Sequence, residues 1–352
     1  MDSGILAHLA RGSGGALRTI TFTAEPHDPW SDGAARAAPV ARELGSLHEV
    51  VSIGPRDFLD ALPDYLGSMS EPSLSAYLYY LVARKLPGTG RWLSGLGADE
   101  IFLGDPWYGK LLAAERAARF IGRVPVAARR LLAACAAPLA GTHRKKLALL
   151  AEERPGFSFL YAYARDNLDL GERLALLAPG IRPPGITRDH VNFSYGPPRG
   201  SGLAAMQETL LCRELPDGHG RDVSLFAENL DLSFPFLSPR VVATALVVRP
   251  EARAGVGKPF LRRACAAIAP APVLSLPKGS FLVPPVAWLR GGLASYVRDR
   301  LSASRLAARG IWNVAEVTRR VEAFTAGRGS PFDVIRVLLL EAWMDRHGLE
   351  AA

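Results

Sequence analysis

Short apolar strands and helical patterns alternate over the first hundred residues, and this alternation restricts the folds open to the chain. Strand patterns cover residues 18–23, 48–53 and 91–93. Helical patterns precede and separate them, at residues 5–10, 34–44, 57–66 and 73–84. Strands that alternate with helices predict an α/β fold, in which a parallel sheet is sandwiched by helices and ligands bind at the carboxyl ends of the strands.

Beyond Tyr108 the sequence becomes mainly helical. Its Leu- and Ala-rich segments are broken by prolines, and a Gly/Pro-rich loop covers residues 179–202. Helices are predicted near residues 202–215, 239–247, 257–267, 285–301, 314–326 and 332–347. We therefore divide the chain into an α/β part at residues 1–108 and a helical part at residues 109–352 that completes the same domain.

The composition is typical of a soluble globular protein. The 352 residues are 49% hydrophobic, which is enough for a large core. No apolar run approaches the roughly 20 residues that span a bilayer. No signal-peptide pattern opens the chain, so we expect a cytoplasmic protein with no membrane partner. The three cysteines, Cys135, Cys212 and Cys265, are too few and too far apart to indicate a disulfide framework or a zinc site.

The net charge of +8 is concentrated between Lys110 and Lys146, where Glu115 is the only acidic residue. Such a segment could steer an anionic nucleotide or a peptide towards the protein. A solvated helix face in an Arg- and Ala-rich sequence is the simpler explanation. Only Phe120 is interleaved with these basic residues for base stacking, so we expect no nucleic-acid partner.

Residues 91–108, RWLSGLGADEIFLGDPWY, carry the most specific local pattern. A short strand runs into Ser-Gly-Leu-Gly, whose glycines allow a sharp turn and a close approach to a ligand, and then into a helix start. Backbone N–H groups at such a turn can face an anion, and Asp99 adds a carboxylate that could hold a divalent cation against bound phosphates. An ordinary strand-to-helix turn, with Asp99 and Glu100 as first-turn charges, explains the same residues.

Four stretches, taken in order along the chain, resemble the motifs of one protein family. They are MDS at residues 1–3, SGLGADEIFLGDPWY at 94–108, ENLDLSFPFLSPRVV at 228–242, and GKPFLRRA with LPKGSFLVPPVAWLRG at 257–264 and 276–291. Together they resemble the synthetase domain of the asparagine synthetase family, which belongs to the N-type ATP pyrophosphatases. Each motif is weak alone, whereas four in the right order over nearly the whole chain are specific.

The resemblance implies an adenine nucleotide alpha hydrolase-like fold of the PP-loop type, with residues 1–108 as its nucleotide-binding part. Asp2 and Asp99 would hold Mg²⁺ against the phosphates of ATP. Lys278 would be the catalytic lysine that neutralises charge on an adenylate or a tetrahedral intermediate. The residues implied to bind the nucleotide are Ser3, Ser94, Gly95, Gly97 and Asp99.

The implied reaction is ATP-dependent amide formation by a ligase. A small-molecule or peptide carboxylate would attack the α-phosphorus of ATP and release pyrophosphate, and ammonia or an amine would then displace AMP.

The family's loop reads Ser-Gly-Gly-x-Asp-Ser, and residues 1–3 match only its last three positions. We therefore expect the first strand of the sheet and its Ser-Gly-Gly to be missing, which would impair ATP turnover by the chain as given. The family's amidotransferase domain is expected to be missing too, so a separate glutaminase or peptide-binding subunit is an implied partner. A non-catalytic, degenerate paralogue is the alternative that these departures favour.

The motifs also depart from the family at the substrate end. Leu96 stands where asparagine synthetases carry an acid, and Ser233 replaces the arginine of the Glu-x-Arg-x-Pro segment. Leucine cannot pair with the ammonium group of free aspartate, and leaving that charge unpaired in a closed site is costly. Asparagine-type chemistry therefore stays open beside cyclisation of the kind performed by lasso-peptide macrolactam cyclases and β-lactam synthetases.

Overall fold

The structure, a computed structural model, describes residues 1–14, 16–25, 33–86, 91–136, 151–152, 157–164, 170–181, 202–216, 231–279, 284 and 286–349. Most of the predicted Gly/Pro-rich loop at 179–202 and the last residues of the basic segment lie outside the described residues.

The first part of the chain alternates strands and helices as the sequence predicts. Its elements are α1 Asp2–Arg11, β1 Arg18–Ala24, α2 Gly33–Leu44, β2 Leu47–Ile53, α3 Pro55–Ser68, α4 Tyr77–Lys85, β3 Arg91–Leu93 and α5 Ala98–Phe102. The strands are rich in β-branched and aromatic residues, which fit a pleated surface. Helix α3 begins at a proline, and the preceding Gly54 donates its N–H to Asp57 Oδ2 over 2.8 Å. The predicted α/β class is therefore confirmed.

The remaining elements are mainly helical, as predicted. They are α6 Pro106–Ile121, α7 Val126–Ala136, α8 Phe157–Ala164, α9 Leu170–Ala175, α10 Gly202–Thr209, β4 Asp231–Ser233, α11 Pro239–Leu246, α12 Pro250–Arg253, α13 Pro259–Ala264, α14 Ala271–Leu274, α15 Val286–Arg290, α16 Ala294–Arg300, α17 Ala303–Arg309, α18 Val314–Thr325 and α19 Pro331–Arg346. A π-helical turn, Leu210–Glu214, follows α10, so the helix predicted at 202–215 changes its hydrogen-bonding pattern midway.

The described strands form two separate parallel pairs instead of the single sheet that the sequence predicts. Strand β1 pairs with β2 along its whole length, and β3 pairs with β4. In the second pair Arg91 lies opposite Asp231, and Arg91 Nε contacts Asp231 Oδ2 at 2.7 Å. Strand β4 was not predicted because its three residues are too few to show a strand period.

A cavity of about 1320 Å³ lies between the two strand pairs. Residues of β1 and β3 line it, together with residues of α1, α4 and α19. The cavity therefore lies between β1 of one pair and β3 of the other.

Three apolar clusters hold the described elements together. The largest joins β1, β2, α3 and α4 to α15–α19, with Trp288 and Tyr65 almost fully buried in it. A second cluster packs α1, α2 and α5 against α13 and α14, and a third packs α6 against α8 and α10. The C-terminal helices therefore pack onto the first part of the chain, and the division at residue 108 stays a prediction.

The helix predicted at 285–301 is interrupted, and α15 and α16 replace it. Gly291 and Gly292 lie at the interruption, where the chain passes close to the start of α3. A Cβ atom added at Gly292 would lie 2.6 Å from Cγ of Pro55. The break therefore lets the backbone approach Pro55, which no helical side chain at this position would allow.

We predict that Gly292→Ala destabilises the protein by about 1–3 kcal/mol, because the added methyl group overlaps the Pro55 ring. Gly109→Ala in α6 is the matched control, since nothing lies within 4 Å of its added Cβ and alanine favours a helix. Urea unfolding of both variants measures the effect. Equal stability of the two variants would contradict this packing.

Candidate active site

The turn that follows β3 contacts the start of α1. An added Cβ at Gly95 would lie 2.8 Å from the backbone N of Ser3 and 2.9 Å from Cβ of Asp2. No side chain fits between the two segments, so a glycine is required for this approach. The first and second motifs, far apart in the sequence, therefore meet at one point.

A second glycine fixes the geometry of the same turn. Gly97 has a φ angle of +93°, in the left-handed region that side chains disfavour, and it precedes the first residue of α5. An added Cβ would lie 2.3 Å from Cδ2 of Leu237. The turn is closed on its other side by hydrogen bonds from the N–H of Ser94 to Ser233 O at 2.9 Å and from the N–H of Leu96 to Ser94 Oγ at 3.2 Å.

Two aspartates converge on one buried lysine. Lys258 Nζ lies 2.7 Å from Asp2 Oδ2 and 2.6 Å from Asp99 Oδ1, and the lysine side chain is only 3% exposed. Lys258 has a φ angle of +60° and precedes α13. An added Cβ at Gly104 would lie 2.4 Å from Cγ of Lys258, so this glycine makes room for the lysine stem.

A second lysine, Lys278, contacts the other carboxylate oxygen of Asp99. Lys278 Nζ lies 2.8 Å from Asp99 Oδ2 and 2.7 Å from Asp105 Oδ1. Burial opposes the charged form of Asp99, but the charges and hydrogen bonds of Lys258 and Lys278 outweigh it and lower the pKa of Asp99. Burial likewise opposes the charge of Lys278, and the two aspartates outweigh it and raise its pKa. Both groups therefore stay ionised at neutral pH.

The predicted site residues lie on this turn, in this charge cluster or, for Ser3, in the first turn of α1 against Gly95. They are Asp2, Ser3, Ser94, Gly95, Gly97, Asp99 and Lys278. The structure brings them together, and their roles stay predictions.

Sequence reasoning gave no role to Lys258, Asp105 or Tyr79, although all three belong to the site. Lys258 lies in the GKPFLRRA motif and Asp105 in the SGLGADEIFLGDPWY motif, but neither motif shows that the side chains meet. The hydroxyl groups of Tyr79 and Ser94 share a hydrogen bond of 2.7 Å. Only the fold brings α4 to this turn, so no local signal identified Tyr79.

The carboxylates fit a divalent cation whose coordination shell is completed by ligands from another molecule. Asp2 Oδ1 is buried and has no hydrogen-bond partner, although such an oxygen normally has one. Within the described ranges, no group of three or more His, Cys, Asp or Glu side chains forms a ready metal cage. Mg²⁺ commonly takes one or two carboxylates and completes its shell with water and substrate phosphates. Asp2 and Asp99 suit that arrangement.

A buried polar pair supports the helix that carries Asp99. Gln207 Nε2 donates to the backbone oxygens of Glu100 and Ile101 at 3.1 and 2.9 Å. Arg253, which is 1% exposed, donates to Ile101 O and to Gln207 Oε1. The carbonyl groups of Glu100 and Ile101 in the short α5 are thereby satisfied by side chains from two other helices.

Two half-buried glutamates have raised pKa values: Glu100, which follows Asp99, and Glu214, which feels the charge of Glu100. Burial, with further contributions from Asp99 and Asp105, raises the pKa of Glu100 to about 7. Burial, followed by the charge of Glu100, raises the pKa of Glu214 to about 7. Both groups can therefore exchange a proton near neutral pH.

Comparisons with known proteins identify the family of the chain. The sequence profile of the family described as "Asparagine synthase" matches residues 1–345, and the chain belongs to that family. Relatives in Mycobacterium bovis and in two strains of Mycobacterium tuberculosis are described as "putative asparagine synthetase (glutamine-hydrolyzing)". Each is 32% identical over 288 residues, which cover 78% of this chain and 42% of the relative. The chain thus spans less than half the length of these relatives.

The described part of the chain contains no helix that is both long and apolar enough to cross a membrane.

We predict that Glu100→Gln gains stability relative to the unchanged protein as the pH rises. A carboxyl group whose pKa is about 7 when folded and 4.5 when unfolded costs stability above pH 4.5, because the unfolded chain loses the proton first. The cost grows until about pH 7 and reaches on the order of 3 kcal/mol. Urea unfolding at pH 4.5 and 7.5 measures it.

The exposed Glu322 supplies the control, and Glu322→Gln should show no such change between the two pH values. If Glu100→Gln has the same stability difference at both pH values, Glu100 is not a carboxyl group that burial keeps protonated.

Proposed function

We propose that the chain forms the ATP-binding, carboxylate-activating part of an amide-forming ligase of the asparagine synthase type. Membership of the family and the convergence of Asp2, Asp99, Lys258 and Lys278 support this proposal. The observation that carries it is the shared position of Asp99, which contacts both lysines. The contact of the Gly95 turn with Asp2 and Ser3, which match the end of the family's loop, supports a PP-loop type of nucleotide site.

The proposed reaction has two balanced steps. A carboxylate oxygen attacks the α-phosphorus of ATP, the bond to the β-phosphate bridging oxygen breaks, and pyrophosphate leaves. An amine nitrogen then attacks the acyl carbon, the bond to AMP breaks, and the amine loses one proton. When bound, Mg²⁺ would neutralise phosphate charge.

The residues of the chain have separable tasks in this proposal. The first turn of α1 has no side-chain cap on its N–H groups, so Ser3 and its neighbours can donate to phosphate oxygens. Asp2 and Asp99 would hold the cation. Lys278 stays charged and would stabilise negative charge as it develops. Glu100, whose pKa is about 7, lies next to Asp99 in sequence and could accept the proton that the amine loses.

The second part of the proposal concerns the carboxylate substrate. Leu96 and Ser233 both lie at the turn between β3 and α5, where the Ser94 backbone N–H bonds to Ser233 O. Neither side chain supplies a charge to pair with free aspartate. These residues favour a carboxylate substrate that places no ammonium group beside Leu96 and Ser233. A peptide or a small molecule that undergoes cyclisation would meet this condition. If ammonia is the nucleophile, a separate glutaminase would supply it.

We expect Asp99→Asn to weaken binding of a fluorescent ATP analogue in the presence of Mg²⁺ by roughly tenfold or more and to abolish pyrophosphate release. Asp64→Asn is the control, because Asp64 is an exposed aspartate that pairs with Arg84. Nucleotide affinity is measured by titration and does not require the carboxylate to be known. Unchanged affinity in Asp99→Asn would refute the proposed site, and absence of nucleotide binding by the unchanged chain would favour a non-catalytic paralogue.

We also expect N-acetyl-aspartate to support pyrophosphate release at least as well as free aspartate. Acetylation removes the ammonium charge, for which Leu96 offers no partner. Release is measured with ammonium chloride as the nucleophile and with each carboxylate in turn. A strict requirement for free aspartate would contradict this prediction and establish asparagine-type chemistry.

A further inference from the structure

We propose that Lys258 is an internal counter-ion that closes the Asp2–Asp99 pair to divalent cations until a nucleotide draws its ammonium group away. This inference rests on the proposed function, because it concerns the same two carboxylates. It adds an order to the binding steps: the cation enters with the nucleotide, and it does not bind strongly beforehand.

The ammonium group already occupies the point where a cation would bind. Lys258 Nζ lies 2.7 Å from Asp2 Oδ2 and 2.6 Å from Asp99 Oδ1. Divalent cations bind carboxylate oxygens at about 2.0–2.6 Å. A metal ion shared by these two oxygens would therefore overlap the nitrogen atom, and one of the two cations must leave.

The backbone of Lys258 is held in place, so only its side chain can move. The N–H of Gly257 donates to Gly104 O at 3.1 Å, and the N–H of Lys258 donates to Gly255 O at 2.9 Å. Lys258 itself has a φ angle of +60°. The lysine stem passes over Gly104, where an added Cβ would lie 2.4 Å from its Cγ. The ammonium group can therefore leave the carboxylates only by rotation about the side-chain bonds.

The charges of the cluster favour the closed state when no nucleotide is present. Three carboxylates, of Asp2, Asp99 and Asp105, face the two ammonium groups of Lys258 and Lys278. These groups sum to a charge of −1, and a divalent cation added while both ammonium groups stay in place would change the sum to +1 in a largely buried site. Phosphate oxygens supply the missing negative charge and offer the ammonium group new acceptors, so the nucleotide can release the pair.

The orphan oxygen of Asp2 is consistent with this arrangement. Asp2 Oδ1 is buried without a hydrogen-bond partner while Oδ2 of the same carboxylate contacts Lys258. Lys258 thus holds Oδ2 of the Asp2 carboxylate, while the burial of Oδ1 is not compensated by a hydrogen bond. A lysine that only neutralised Asp2 and Asp99 could do so without placing its ammonium group between the two carboxylates, where a cation would bind.

The test is a titration with Mn²⁺ alone, in which the electron paramagnetic resonance signal of the free ion measures how much Mn²⁺ is bound. The unchanged chain should bind Mn²⁺ weakly without nucleotide, and Lys258→Met should bind it roughly tenfold more tightly or better. The double variant Lys258→Met with Asp99→Asn should lose this gain, which locates the ion at the pair. Adding a non-hydrolysable ATP analogue should tighten Mn²⁺ binding by the unchanged chain.

Equal Mn²⁺ affinity of the unchanged chain and Lys258→Met, without nucleotide, would overturn the inference and leave the proposed function intact. Absence of nucleotide binding by the unchanged chain would instead refute the proposed function. Lys258→Gln is a second variant with the same expectation, should Lys258→Met fail to fold. Lys258→Arg keeps the charge and should keep Mn²⁺ binding weak, which a purely structural lysine would not require.

Discussion

The carboxylate of Asp99, held by two lysines, is the interaction on which the rest of the site depends. It joins α5 to the segment before α13 through Lys258 and to the segment before α15 through Lys278. Lys258 extends the connection to Asp2 at the start of α1. Removing one charge from a buried cluster leaves the others uncompensated, which is far more costly than losing an exposed ion pair. The cluster therefore fixes four distant segments of the chain in one arrangement.

Steric constraints make this electrostatic arrangement possible. Gly95 lets the turn touch the start of α1, Gly97 takes the left-handed conformation under Leu237, and Gly104 admits the stem of Lys258. Each glycine lies where an added Cβ would come within 3 Å of another atom. The spacing of the glycines in the second motif therefore follows from three close approaches, as well as from any contact with a ligand.

The sequence predicted most elements because their patterns are local. The apolar periodicity of α3 and the β-branched residues of β1 are properties of short windows, and both elements lie where expected. The split into two strand pairs, the strand β4 and the approach of Gly292 to Pro55 depend on contacts between distant segments. Such contacts leave no period in the sequence, so these features could not be predicted.

The site shows the same division between local and distant information. The order of the motifs predicted that Asp2, Asp99 and Lys278 lie together. It assigned no role to Lys258, because a lysine beside a proline is not specific to any one function. Its meaning comes from the buried position between two carboxylates. The charge cluster is thus fixed by mutually dependent charges, and substitution there disturbs every partner. Among the described residues, Leu96 and Ser233 contribute main-chain bonds to the turn and belong to no ion pair of the charge cluster, so their side chains can change without disturbing it. The residues at positions 96 and 233 can therefore vary separately from the charge cluster.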